Sequence, residues 1–362
     1  MTKDARSDRR DAPVVLIAPD KFRGSLTAPE VVTAARAGAE AVGWQVVERP
    51  MADGGEGILD AFGGANRTTT VTGPAGAPVE APWRFGEDGV AVVESAAASG
   101  LAVAGGASGN DPVAATSAGT GELVAEAVRA GARRVVVGLG GSAMTDGGLG
   151  AVEATLSRLD GRTPGDLGVE LLAACDVQTV FTDAAAAFGP QKGAGPEQVA
   201  ELTDRLHQVL ADYERRFGVE LQEAGVDLAR LPGAGAAGGL GGGIVVLGGR
   251  LVPGLQLVAE QVGLAQAIEQ ADAIITGEGA LDAESFNGKV VGGVVDAAEP
   301  DGIPVLVLAG TIRPDAPAAR LSRLRVVDLT QTYGAAASWH RTAECITRAV
   351  EEHLPTLPTT LP

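Results

Sequence analysis

The sequence predicts an α/β protein built on largely parallel sheets, and three observations lead there. Short β-branched runs recur along the chain, segments of helical period lie between them, and glycine-rich turns follow the runs directly. Continuous apolar runs suit strands buried on both faces, as a parallel sheet requires. Strand, turn and helix in repetition then place a ligand site outside the carboxyl ends of the strands, where the turns gather.

Taken in order, the runs at 14–18, 90–93, 135–137, 273–276, 305–308 and 326–328 are the expected strands. Each ends in a turn containing Gly or Asp. Helices are expected over 28–42, 122–130, 149–159, 197–217, 255–270 and 342–353, where apolar residues return at i, i+3 and i+4. The first of these opens on Thr27-Ala28-Pro29-Glu30, the pattern of a capping box. Two stretches dense in Pro and Gly, 73–82 and 232–243, are the expected crossings between lobes.

At 362 residues the chain has room for about two domains. Its 52 glycines are roughly twice the usual share of about 7% and are not periodic, which fits loops on a scaffold. With 28 basic against 46 acidic residues, the net charge of −18 argues against nucleic acid or an anionic membrane surface as partner. An anionic substrate must be met locally. Cys175 and Cys345 are far apart and lack metal-ligand spacing, so neither a disulfide framework nor a zinc site is expected. The start has mixed charge and no apolar core, and no run approaches the ~20 residues of a membrane span. A cytoplasmic protein with a loose tail over 1–12 is the reading, its assembly left open between monomer and homodimer.

Four turns carry the candidate chemistry. In APDKFRGSLTA, Lys21, Arg23 and Ser25 stand just ahead of a helix N-terminus, a setting that favours an anion; read without a ligand, Asp20 and Arg23 pair across the turn. PMADGGEG sets Asp53 and Glu56 among three glycines, where a carboxylate can hold Mg²⁺ or accept a hydroxyl proton; alternatively it is an acidic turn whose glycines only supply positive φ. GLGGSAMTDGG follows a strand and precedes a helix, so its successive amides can form a phosphate nest. It contains GxGxxA, yet no strand ends in an acid some 20 residues later, and a dinucleotide fold is disfavoured. ITGEGALD is followed by Ser285 and Gly288-Lys289, which lack the P-loop spacing. Glu278 and Asp282 are candidates for a metal there, and Lys289 for a phosphoryl oxygen or simply the surface.

These turns, with ESAAASGL, TSAGTGEL, ACDV, FGPQKGA and PGAGAAGGLGGG, occur in an order that resembles the type I glycerate kinase family. The resemblance spans roughly residues 14 to 310. It implies two α/β domains, one inserted into the other, with the active site in the cleft between them. The corresponding boundaries are 13–80 with 265–362 for the discontinuous Rossmann-like domain and 81–264 for the insert. It also implies phosphorylation of D-glycerate to 2-phosphoglycerate with ATP and Mg²⁺ as cofactors. By that analogy Gly140, Gly141, Ser142, Gly277 and Glu278 take the nucleotide, and Asp53, Glu278 and Asp282 the metal. Asp20, Lys21, Arg23, Ser25 and Lys192 take the substrate, while Asp53, Asp146, Asp176 and Lys289 do the chemistry, the base being one of the first three.

The chain departs from the family pattern at Ala118 and Ala280, where arginines are usual, at Thr145 in place of asparagine, and at Lys21 and Arg23 in place of Ser/Thr and Lys. The stretch between Leu156 and Phe188 is short and lacks the usual Asn-Pro after ACDV. Losing two arginines removes charge-assisted bonds of about 1.5 to 3 kcal/mol each. Two alternatives therefore stand beside glycerate phosphorylation: a kinase of another small hydroxylated substrate, and a non-catalytic protein that binds a nucleotide or metabolite.

Overall fold

The computed structural model describes residues 12–357, so the expected tail over 1–12 lies almost wholly outside the described residues. The chain divides into two compact units, one formed by residues up to Ala52 and from Val258 onward, the other by Asp53–Leu257. Eleven strands among the described residues, numbered in chain order, form two sheets.

In the first unit, β1 (Val14–Ile17), β2 (Gln45–Glu48), β9 (Ala273–Leu281), β10 (Val305–Ile312) and β11 (Arg325–Asp328) lie in the order β11-β10-β9-β1-β2. All pairs are parallel. Val15, Leu16 and Ile17 are fully buried, the burial on both faces that a continuous apolar run predicts. The helix Ala28–Ala41 begins where the capping box placed it, Glu30 accepting both the backbone N–H and the hydroxyl of Thr27 at 2.8 and 2.9 Å. Its Gly38 lies against Val350 and the Thr347 carbonyl of the C-terminal helix Thr342–His353, so close that a Cβ would stand 2.5 Å from that oxygen.

In the second unit, β3 (Arg67–Thr72), β4 (Pro78–Phe85), β5 (Val90–Glu94), β6 (Arg134–Gly138), β7 (Glu170–Ala174) and β8 (Arg250–Val252) run in sequence order across one sheet. β3, β4 and β5 are antiparallel neighbours, and the pairs from β5 to β8 are parallel. The expected helix over 255–270 is two, Gly254–Gln261 and Leu264–Gln270, separated at Gly263 with φ +66°.

The division falls after Ala52 and Leu257, earlier at both junctions than the sequence suggested. Residues 53–80 belong to the second unit because β3 pairs along its whole length with β4. Neither Pro/Gly-dense stretch is a crossing. Residues 73–82 make a tight turn and enter β4, the Gly76 amide bonding the Gly73 carbonyl. Residues 232–243 lead into the helix Ala236–Val246, whose Ala237, Gly238 and Gly239 all have positive φ.

Glycine also sets the spacing of the two helices that flank the second unit's main loop. A Cβ on Gly121 of helix Ala118–Arg129 would lie 2.1 Å from the Ala151 carbonyl oxygen of helix Leu149–Arg158. The obstructing atoms are all backbone of Ala151, so the helices must separate. Gly121→Ala is expected to cost about 1 to 3 kcal/mol of unfolding free energy, the usual range for overpacking. Urea denaturation checks this, and an unchanged midpoint would show that the contact is not required.

Candidate active site

Each unit gathers its expected residues at the carboxyl ends of its parallel strands. In the second unit the chain leaves β6 at Gly138 and enters the loop 139–148. A Cβ on Gly140 would meet Gly55 Cα at 2.8 Å and the Glu56 amide nitrogen at 2.9 Å, while one on Gly141 (φ +60°) would meet Glu56 Oε1 at 2.1 Å. The PMADGGEG and GLGGS turns are therefore in contact. Gly54 packs on Ala174 at the end of β7 and on Gly254, whose amide donates to Asp176 Oδ1 at 2.9 Å. Asp53, Gly140, Gly141, Ser142 and Asp176 are thus brought to one edge of one sheet.

The hydrogen bonds of the loop are strongly one-sided. The carbonyls of Gly140, Gly141, Ala143, Met144 and Gly147 accept from Ser95 Oγ, the Leu101 amide, Asn110 Nδ2, Lys192 Nζ and Tyr213 Oη, at 3.2, 2.7, 3.0, 2.6 and 3.0 Å. The Ala143 amide donates to the Ser99 carbonyl and the Gly147 amide to the Gly238 carbonyl. The amides of Gly140, Gly141 and Ser142 are paired with no protein acceptor among the described residues. Gly141 is exposed and Gly140 half-buried, whereas Ser142 is buried, so the row opens to solvent at its glycine end. Such a row suits an anion.

Asp146 and Lys192 lie on the buried side of the same loop. Asp146 Oδ2 accepts the Ser117 amide and hydroxyl, each at 2.8 Å, and the Gly150 amide at 3.3 Å; Oδ1 accepts the Gly148 amide at 3.0 Å. The carboxylate ties the loop to the starts of two helices. Lys192, only 2% exposed, bonds Met144 O and reaches Thr145 Oγ1 at 3.4 Å. Burial lowers its pKa to about 8, against the opposing pull of Asp146. Expected at a substrate, it instead supports the loop backbone.

In the first unit, the DKFRGS turn lies against the end of β9. The Asp20 amide donates to the Gly277 carbonyl at 2.9 Å, and a Cβ on Gly279 would stand 3.1 Å from the Arg23 amide nitrogen. Asp20 is paired not with Arg23 but with Lys21, accepting its amide at 2.7 Å with the ammonium at 3.8 Å. Arg23 is exposed, and Ser25 Oγ donates to the Phe22 carbonyl. Beyond the strand, Asp282 Oδ1 accepts the amides of Glu284 and Ser285 at 2.9 and 3.1 Å, and Lys289 forms an ion pair with Glu284 at 2.9 Å.

Glu278 differs from these acids. Among the described residues its Oε1 is buried without a hydrogen-bond partner. Burial raises its pKa to about 7, with a Ser285 hydrogen bond pulling the other way and Asp20 adding repulsion. No group of three or more His, Cys, Asp or Glu side chains converges as a metal site among the described residues. Asp282 closes a local turn, whereas the unsatisfied oxygen of Glu278 suits a cation or a hydroxyl proton.

Sequence reasoning passed over Glu94, at the end of β5, which accepts the Gly57 and Leu59 amides at 2.8 and 3.0 Å and so holds the turn bearing Asp53. Burial raises its pKa. Its position after an apolar run and before Ser95 was the available signal. Asn110, Ser117 and Tyr213 were also passed over, because their partners, the Ala143, Lys192 and Gly147 carbonyls and the Asp146 carboxylate, lie far away in sequence.

The Glu278 shift gives a pH test. A carboxyl whose folded pKa lies above its ordinary 4.5 favours folding while protonated, and that contribution is lost as pH rises toward about 7. In metal-free buffer, the unfolding free energy of the native protein relative to Glu278→Gln is expected to fall between pH 5 and 7 by up to about 1.4 kcal/mol per unit. Urea titrations of both proteins check it, and parallel pH profiles would contradict it.

The sequence profile of the Glycerate kinase family matches residues 15–163 and 154–356. A protein of Escherichia coli named glycerate 2-kinase is 36% identical over 335 residues, covering 83% of this chain and 86% of the relative. An uncharacterised protein of Mycobacterium bovis is 41% identical over 322 residues, covering 84% and 81%. A crystal structure assigned to glycerate kinase 2 of Salmonella typhimurium superposes with a TM-score of 0.77 at 31% identity, covering 96% of this chain and 98% of that one.

Proposed function

The chain belongs to the glycerate kinase family and is a phosphotransferase acting on an alcohol group; from that premise we propose that it transfers the γ-phosphoryl group of ATP to D-glycerate, giving 2-phosphoglycerate. The observation that carries the nucleotide assignment is the row of amides at Gly140, Gly141 and Ser142, on a loop whose carbonyls are turned to protein donors. Phosphoryl transfer asks the protein chiefly for positioning and for donors to the phosphoryl oxygens. Rigid amides meet that need at no cost in reorganisation.

Among the acids, Asp146 has its oxygens engaged by four donors on the buried side of the loop and serves as a structural tie. That leaves Asp53 and Asp176 as the candidate bases of the original three. Glu278 is the residue that fits Mg²⁺ best, through its buried, unsatisfied oxygen. When bound, the ion supplies neutralisation of the phosphate charge. Lys21 and Arg23 give the carboxylate of glycerate a basic turn to bind, and the acceptor is anionic, so a protein of net charge −18 needs them there. A cytoplasmic location follows from the nucleotide requirement; no helix among the described residues is long and apolar enough to cross a membrane.

One observation favours a second acceptor. Ala118 opens the helix Ala118–Arg129 beside the Ser117–Asp146 bond, and Ala280 lies in β9 opposite Thr311; both are half-buried places where the resembling family carries arginine. A small polyol, which lacks glycerate's single carboxylate charge, suits those positions.

The purified protein is expected to release ADP from Mg-ATP in a D-glycerate-dependent manner, with phosphorus NMR locating the new ester at carbon 2. Turnover of another hydroxy acid or polyol but not glycerate would transfer the assignment to the second acceptor. ATP binding without turnover of any acceptor would contradict the kinase reading.

A further inference from the structure

We propose that Lys192 is the positioning residue of the phosphate loop, its ammonium cancelling the charge of Asp146 and holding Met144 so that the amides of Gly140, Gly141 and Ser142 present an electrically favourable face to a polyphosphate. The inference rests on the nucleotide assignment above and adds a residue that touches no substrate.

The loop has two other braces of the same geometric kind, Asn110 on the Ala143 carbonyl and Tyr213 on the Gly147 carbonyl, and both are neutral. A neutral donor is therefore sufficient to fix a carbonyl here. Lys192 is 2% exposed, and burying an ammonium costs several kcal/mol unless charge and hydrogen bonds offset it. At this position the charge must answer something that Asn and Tyr do not. That group is Asp146, a carboxylate 8% exposed within the same loop. Its four donors satisfy its oxygens but leave its charge in place, in a low-dielectric region close to the open amides. Alone, Asp146 would repel the anion that the amides attract. With Lys192 the buried side of the loop is neutral, and the acid remaining beside the amides is Glu56, whose carboxylate lies against Gly141 on the other side.

The attachment of Lys192 is itself secured. It ends the short 3-10 turn Pro190–Lys192, and its own carbonyl accepts from Asn110 Nδ2 at 2.9 Å. Asn110 thus links the Ala143 and Lys192 carbonyls. A Cβ on the following Gly193 (φ +95°) would stand 2.4 Å from the Ala107 carbonyl oxygen, so the turn is seated against the chain that supplies Asn110. The titratable group that acts on the ammonium is Asp146; the loop's other titratable brace, Tyr213 on the helix Pro196–Glu223, is acted on by Asp146, Arg216, Glu153 and Asp212. Tyr213 is held well above its ordinary range by burial and so stays neutral below pH 10. Lys192 is then the group near the loop that changes charge at mildly alkaline pH, its pKa lowered to about 8.

The test is calorimetric binding of ATP and of inorganic tripolyphosphate to the full-length protein, native, Lys192→Met and Lys192→Arg, at pH 7 and pH 9. Methionine keeps the length of the side chain without its charge; arginine keeps charge at both pH values. At pH 7, Lys192→Met is expected to weaken both ligands by about tenfold, the change that loss of about 1.4 kcal/mol of charge interaction gives. Native affinity is expected to fall toward the Lys192→Met value as pH rises through about 8, while Lys192→Arg binds with a flat pH profile. Equal affinities of native and Lys192→Met protein at pH 7 would overturn the inference while leaving the loop assignment intact. A native protein that binds neither polyphosphate would overturn the loop assignment and the inference with it. Lys192-dependent ATP binding without glycerate turnover would contradict the proposed function alone. If Lys192→Met does not fold, the native and Lys192→Arg pH profiles decide: identical flat profiles overturn the proposal.

Discussion

The ten residues between β6 and the helix Leu149–Arg158 must run through a buried, crowded region and still leave a few backbone donors open to solvent. Buried carbonyls need partners, and the second unit supplies them from widely separated parts of the chain: Ser95, Leu101, Asn110, Lys192 and Tyr213. From the carbonyl side the backbone is fixed in one orientation. The amides of Gly140, Gly141 and Ser142 are left outward as a consequence. Much of the unit's glycine usage follows from the same constraint: a Cβ on Gly238 would stand 2.1 Å from the Met144 oxygen, and one on Gly239 would stand 2.6 Å from Gly147 Cα. The glycine-rich helix lies on the loop at backbone distance because no side chain intervenes.

The first unit solves a different problem. Its sheet is entirely parallel and its central strands are buried on both faces, so polar chemistry is confined to the carboxyl ends. There the acids divide by environment. Asp282 is held by two amides of a local turn, whereas Glu278 keeps an oxygen that no described group satisfies. Two carboxylates four residues apart thus differ in their readiness to take a cation or a proton, for reasons of desolvation and hydrogen bonding.

The fold was legible where sequence pattern reports burial directly. All six apolar runs are strands, since β-branched residues in succession have few other stable placements beside a helix-period segment. β3 and β4 were not legible: the threonines of RTTTVT and the two prolines of PVEAPWRF belong to antiparallel strands with one face in solvent, and neither makes an apolar run. β2 and β8 are edge strands, and β8 has only three residues. The glycine-dense stretch 232–243 was misread because composition alone does not distinguish a chain crossing from a close backbone contact. At the site, glycines after a strand were a sound guide to where the loops lie. The work of individual side chains was not: Lys192 was placed at the substrate by analogy with the family, and its burial against the Met144 carbonyl could not be read from the sequence.

The central claim is that the loop is rigid from its carbonyl side and open from its amide side, and amide hydrogen exchange resolved by residue measures both at once. Without ligand, the amides of Ala143, Gly147 and Gly148 should be protected and those of Gly140, Gly141 and Ser142 should exchange rapidly; Mg-ATP should slow the latter three and leave the former unchanged. Protection at Gly140, Gly141 and Ser142 before ligand is added, or their continued rapid exchange when ATP is bound, would contradict the account.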